Sequence, residues 1–175
     1  MRRTIRRSSG QSSTEVAALL QSIFASEFFQ PSRCIWLVSP WISDIEILDN
    51  RSSDFDALGE WGPRPVRLSE VLSSLTEHGV RLVIATTNDP VNRSFLDNLS
   101  RRVGDLATDN LLTIHRDETD LHEKALTTDT GLVFGSMNFT YNGVFIRGEL
   151  IEFTSDIESV NDARLDNYQR FGGLL

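Results

Sequence analysis

The sequence holds one lysine, one cysteine and no long apolar run, and each scarcity narrows what the chain can be. A lone Cys34 excludes an internal disulfide and any cysteine-based metal cluster. It lies in Arg33-Cys34-Ile35-Trp36-Leu37-Val38, where it reads as a small buried apolar residue. No apolar stretch approaches the roughly 20 residues needed to cross a bilayer. Near the start, Arg2, Arg3, Arg6 and Arg7 are followed by polar residues rather than by the apolar core of a signal peptide. Together these readings lead to the expectation of a cytoplasmic protein. Histidines are also few, only 3, and no His/Cys set or carboxylate cage is in sight, so no metal and no cofactor are expected.

Positive charge is scarce too. The net charge is −8, and because the first 13 residues carry four Arg and no acid, the remainder sums to −12. An acidic body argues against indiscriminate coating of nucleic acid, which is driven by phosphate neutralisation and counterion release. The basic tail, residues 1–13, could touch phosphate or an anionic surface, but a flexible, solvated terminus is the favoured reading. Residues 14–175 are then one domain with a sizeable core. Of 17 basic residues the one Lys is at 124. A site that needs a compact, mobile ammonium has a reason to specify Lys over Arg.

Apolar periodicity supplies the elements. Val16, Leu19, Leu20, Ile23, Phe24 and Phe28 are spaced for a helix over 14–29 whose polar face, with Glu15, Ser22, Ser26 and Glu27, lacks the basic residues of a membrane-surface helix. Arg33 to Ser39 reads as a buried strand ending in Ser39-Pro40-Trp41. The polar stretch 43–65 reads as a long loop of the kind that often serves function. A helix (68–78), a strand (80–86), a helix from Pro90 to about Val103 and a strand (111–115) follow. The chain closes with strands over 121–128, 132–134 and 148–153 and a helix from about Ile157 to Arg170. Alternating strands and helices predict an α/β fold, a mixed β-sheet flanked by helices on both faces.

Chemistry concentrates between Leu121 and Glu149. If 121–127 is extended, His122 and Lys124 point the same way, about 7 Å apart by strand rise. Thr128-Asp129-Thr130-Gly131 is turn chemistry. Folding back about the 129–130 bond sets Lys124 opposite Gly135 and His122 opposite Met137, so Ser136 and Asn138 arrive beside them. Small Gly135 would let backbone amides approach an anion. An imidazole, an ammonium, a hydroxyl and a carboxamide suit a phosphoryl group. Lys124 and Asn138 can hold non-bridging oxygens while His122 attacks or shuttles protons.

His122, Lys124, Asp129, Gly135, Ser136 and Asn138 resemble, in order, the His-x-Lys, four residues, Asp, Gly-Ser-x-Asn motif of the phospholipase D superfamily. The Asp129–Gly135 spacing is one residue shorter than the commonest form. At roughly one in twenty per position, six chance matches are improbable. Ser39-Pro40-Trp41, Asn138-Phe139-Thr140 and Glu149 extend the resemblance over most of 33–155. The general run of the chain, rather than a motif, is also similar to the phospholipase D-like proteins of bacterial islands that place 7-deazaguanine in DNA.

The resemblance implies a metal-independent phosphodiesterase in which His122 forms a covalent phosphohistidine, Glu149 accepts from the His122 ring and Asp129 is structural. Such enzymes need two motifs and this chain holds one, so a C2 homodimer is implied. A nuclease acting on DNA in a restriction, DNA-modification or defence system, with partner proteins of that system, is the leading expectation. A phospholipase acting on lipid phosphodiesters and a catalytically silent DNA- or subunit-binding partner are the alternatives. His78 and His115 read as structural. Glu149 could be an ordinary strand residue. Trp41 and Trp61 could stack bases, but packing onto the core is the favoured reading.

Overall fold

The computed structural model describes residues 1–6, 13–116 and 120–175. Its centre is β2 (Cys34–Val38), buried along its whole length. The residues alternate between two cores. Ile35 and Leu37 join the larger one with Val16, Leu20, Phe24, Leu72 and Leu99, while Cys34, Trp36 and Val38 meet Leu121 and Phe171 on the other face. A strand covered on both sides must be apolar at every position, which is why no alternation shows in its sequence.

Parallel neighbours lie on one side of β2 and antiparallel ones on the other. β5 (Arg81–Ala85) runs parallel to β2, and β6 (Leu112–His115) parallel to β5. On the other side β7 (Ala125–Thr127), β8 (Leu132–Gly135) and β9 (Leu150–Thr154) follow, each antiparallel to the last. Helices α1 (Ser13–Phe29), α2 (Leu68–Glu77) and α3 (Arg93–Asp105) supply the larger core, and α4 (Ile157–Phe171) covers the opposite face. Asn167 of α4 donates to Thr127 of β7 at 3.1 Å, and the Trp36 indole donates to the Gly172 carbonyl at 2.9 Å. The expected mixed sheet with helices on both faces is what the chain forms.

Three stretches differ from expectation. Arg2–Arg6, read as solvated tail, form strand β1, antiparallel to β9, with Ile5 buried opposite Ile151 and Arg2 paired to Glu152. One apolar residue among three arginines hides an edge strand, because charged side chains there also guard its free edge. The rest of the expected tail, 7–12, lies outside the described residues. The 43–65 stretch is only partly loop: β3 (Glu46–Asp49) pairs with β4 (Pro65–Arg67), which follows the loop, and buries Ile47 and Leu48. Glu27, assigned to the polar face of α1, is buried and accepts the Ser32 amide at 2.8 Å.

The reversal of strand direction at β2–β7 has a consequence for position. Val38 at the end of β2 lies beside Ala125 at the start of β7, Ala125 beside Phe134, and Gly135 beside Ile151. Ser39, Lys124, Ser136 and Glu149 therefore all leave the sheet at the same end, the carboxyl end of β2 and β5. In open α/β sheets that end, at a change of strand order, is where ligands bind.

Candidate active site

The β7–β8 hairpin has the register expected from the turn. Thr127 pairs with Leu132 and Ala125 with Phe134, and the Gly135 amide donates to the Lys124 carbonyl at 3.2 Å. Its turn is tied from outside by Asp129, which accepts the Arg33 amide at 2.9 Å and pairs with Arg164 of α4 at 3.0 Å. Asp129 thus couples the hairpin to β2 and α4.

Beyond Ala125 the expectation of a continuous strand does not hold. His122, Glu123 and Lys124 precede β7 as irregular chain, with His122 exposed and Lys124 half-buried. The Lys124 ammonium turns back onto the carbonyl of His122. That bond uses one of the three ammonium donors and leaves two for a ligand.

The glycine has a different use from the one anticipated. Gly135 adopts φ +147°, and a Cβ there would stand 2.1 Å from the Leu150 carbonyl oxygen. Its smallness serves the approach of β9, and its amide is engaged by Lys124. The Ser136 amide is engaged as well, donating to Leu150 at 3.0 Å. The Ser136 hydroxyl donates to Glu149 and accepts the Leu150 amide at 3.0 Å. Glu149 therefore takes its hydrogen bond from Ser136 rather than from the His122 ring.

Asn138 is held by groups that the motif does not contain. Its Oδ1 accepts from Ser39 Oγ at 3.3 Å, its carbonyl accepts the Thr140 amide at 2.8 Å, and a Cβ on Gly143 would meet that carbonyl at 2.2 Å. The Asn138 side chain lines a surface groove, where its amide nitrogen can donate to a ligand. The Ser39-Pro40-Trp41 segment is fixed in turn by Asn92, which donates to the Pro40 carbonyl at 3.0 Å and accepts the Ile42 amide at 2.7 Å. Asn92 and Gly143 carry no signal in a single sequence, because their roles follow from which loops meet, whereas Ser39 belongs to the Ser39-Pro40-Trp41 segment that the resemblance includes.

Beside Asn138 and Glu149 runs an open groove of about 420 Å³, lined also by Trp41, Asp89, Tyr141 and Arg147. Trp41 is 42% exposed, and its indole N–H donates to Asp89 at 3.1 Å. Trp61, by contrast, packs edge-on against Phe28. The favoured core reading holds for Trp61 and fails for Trp41. His78 and His115 have structural partners, the Ser74 carbonyl and the Phe171 carbonyl.

Among solved structures, the chain is similar to NucT from Helicobacter pylori, with TM-score 0.59 and 13% identity over 99% of both chains. It is also similar to Nuc from Salmonella typhimurium, a phospholipase D family member, with TM-score 0.61 and 11% identity over 97% of this chain and 93% of that one. The chain has a phospholipase D-like fold. A phosphatidylserine synthase from Haemophilus influenzae shares it over 97% of this chain and 38% of its own, with TM-score 0.59 and 13% identity. No protein-family model and no curated protein matches the sequence. In this phospholipase D-like frame, Lys124, Ser136, Asn138 and Glu149 all emerge at one end of the sheet.

Proposed function

We propose that the chain is a metal-independent phosphodiesterase acting on DNA, with His122 as nucleophile. The observation that carries the reading is that the topology gathers the His-x-Lys and Gly-Ser-x-Asn segments at one sheet end of a phospholipase D-like fold. The two segments are neighbours through the Gly135–Lys124 hydrogen bond. His122 attacks phosphorus, forming a P–N bond as the P–O bond to the leaving alcohol breaks. Lys124, through the donors its bond to the His122 carbonyl leaves free, and the Asn138 amide stabilise the charge gathering on the non-bridging oxygens. Water then attacks the phosphohistidine and restores the free imidazole.

The leaving oxygen needs a proton that the attacking ring cannot supply. A homodimer answers this by bringing the partner's imidazole as general acid, exchanging roles in the hydrolytic step. The expected setting is a restriction, DNA-modification or defence system with partner proteins. No helix among the described residues is long and apolar enough to cross a membrane, and the acidic body disfavours an anionic lipid surface.

The test offers single- and double-stranded DNA, RNA and phospholipid vesicles to the full chain in EDTA. DNA is cleaved by the wild type and not by His122→Ala, and sedimentation at micromolar concentration gives a dimer. Loss of cleavage in EDTA overturns the metal-free chemistry, and hydrolysis of lipid alone overturns the substrate. Cleavage by His122→Ala removes the nucleophile, and a monomer with full activity removes the shared site.

A further inference from the structure

We propose that Trp41 is a stacking platform for an unpaired base, which makes single-stranded nucleic acid the preferred substrate. The inference rests on the phosphodiesterase reading of the neighbouring residues. A large aromatic residue on a loop usually folds onto the core, as Trp61 does against Phe28. Trp41 does the opposite: the ring lines the open groove, and Asp89 Oδ2 accepts its N–H at 3.1 Å. Asp89 is itself fixed, since its other carboxylate oxygen accepts the Val91 amide at 2.9 Å. An exposed indole held in one orientation has little conformational entropy to lose on stacking.

The platform is joined to the proposed chemistry by rigid links. Ser39 Oγ lies 3.0 Å from the Trp41 carbonyl oxygen and 3.3 Å from Asn138 Oδ1. One residue on, Ile42 bridges to Phe139, and the Ser43 amide donates to the Phe139 carbonyl at 2.8 Å. The indole therefore stands at a set place relative to the carboxamide that meets the phosphate. The groove of about 420 Å³ falls in the range of small-molecule sites, and Arg147 adds a cation beside it.

Charge supports the same conclusion. Asp89 and Glu149 line the groove, and the sequence is net −8, so phosphate neutralisation contributes little. Base stacking is indifferent to that charge and to base identity. It requires a base free of its partner and neighbours, which a duplex does not offer.

The experiment measures fluorescence anisotropy of a labelled twelve-nucleotide oligothymidylate with the full chain carrying His122→Ala, which prevents turnover. The same strand with abasic sites and a blunt duplex are the controls. Trp41→Ala in that background weakens oligothymidylate binding roughly 5- to 100-fold, and Trp41→Phe retains most of it. The abasic strand binds weakly and equally with or without Trp41. Should Trp41→Ala unfold the protein, Asp89→Ala, which frees the indole, gives the intermediate loss. Unchanged oligothymidylate binding in Trp41→Ala, equal binding of the abasic strand, or tighter duplex binding overturns the platform. If the wild type cleaves no phosphodiester yet Trp41→Ala still weakens binding, the platform stands and the catalytic reading falls. If cleavage depends on His122 but binding ignores Trp41, the reverse holds.

Discussion

The hydroxyl of Ser136 joins Glu149 to the end of the β8–β9 ladder: it donates to that carboxylate and accepts the Leu150 amide at 3.0 Å. A residue expected to face phosphate is thereby also the last stitch between two strands. Glu149 is placed by the fold before any substrate arrives.

Ser136→Ala removes the acceptor of the Leu150 amide and the donor to Glu149, and costs about 1 kcal/mol of stability. Glu149→Gln keeps an acceptor oxygen for Ser136 and unfolds within about 0.5 kcal/mol of the wild type. Urea denaturation separates the two. Equal losses in both variants contradict the assigned direction of the bond.

Two glycines respond oppositely to a methyl group. Gly135→Ala drives a Cβ to 2.1 Å from the Leu150 carbonyl oxygen at φ +147° and destabilises by about 2–3 kcal/mol. Gly104 lies inside α3 with nothing within 4 Å of an added Cβ, so Gly104→Ala stabilises by about 0.5–1 kcal/mol. Thermal melts of both variants check the pair.

Arg164 is only 14% exposed at its side chain, and its partner Asp129 22%. Arg164→Ala leaves the carboxylate with the Arg33 amide alone and costs about 1–2 kcal/mol, as for a partly buried pair. The loss shows in denaturant unfolding and is smaller in Arg164→Lys, which keeps the charge. Equal losses in the two variants contradict a charge-based tie.

Burial pushes the Glu27 carboxyl above its ordinary 4.5, and the nearby Asp129 charge adds to this, against hydrogen bonds from Ser32 and Thr128 that lower it. The folded state therefore favours the protonated form. The stability this contributes is present below pH 4.5 and is lost as pH rises through the raised native value. Glu27→Gln keeps an acceptor for Ser32 and raises the melting temperature at pH 7 but not at pH 4. A wild-type advantage at pH 7 contradicts the sign.

Much of this arrangement is legible in the sequence, unevenly so. The turn residues 128–131 set the hairpin register, because alternation about a short turn leaves one pairing. Buried β2 and β5 announce themselves as apolar runs. The β1 and β3 strands do not, since a short edge strand carries one or two apolar residues among charges. The exposed setting of Trp41 depends on Asp89, 48 positions away, and the Asn138 carboxamide on Ser39, 99 positions away. Such contacts are products of the fold. The same holds for the Lys124 ammonium, whose turn toward the His122 carbonyl no spacing rule foretells.

In the proposed reaction His122 becomes covalently bound to phosphorus. The most direct measurement incubates the protein with a single-stranded oligonucleotide, quenches in alkali and determines the mass of the peptide that contains His122. The expected result is a nucleotidyl adduct on His122 that forms within the first turnover and is absent in His122→Ala. Steady cleavage with an unmodified His122 peptide, or an adduct carried by another residue, contradicts it.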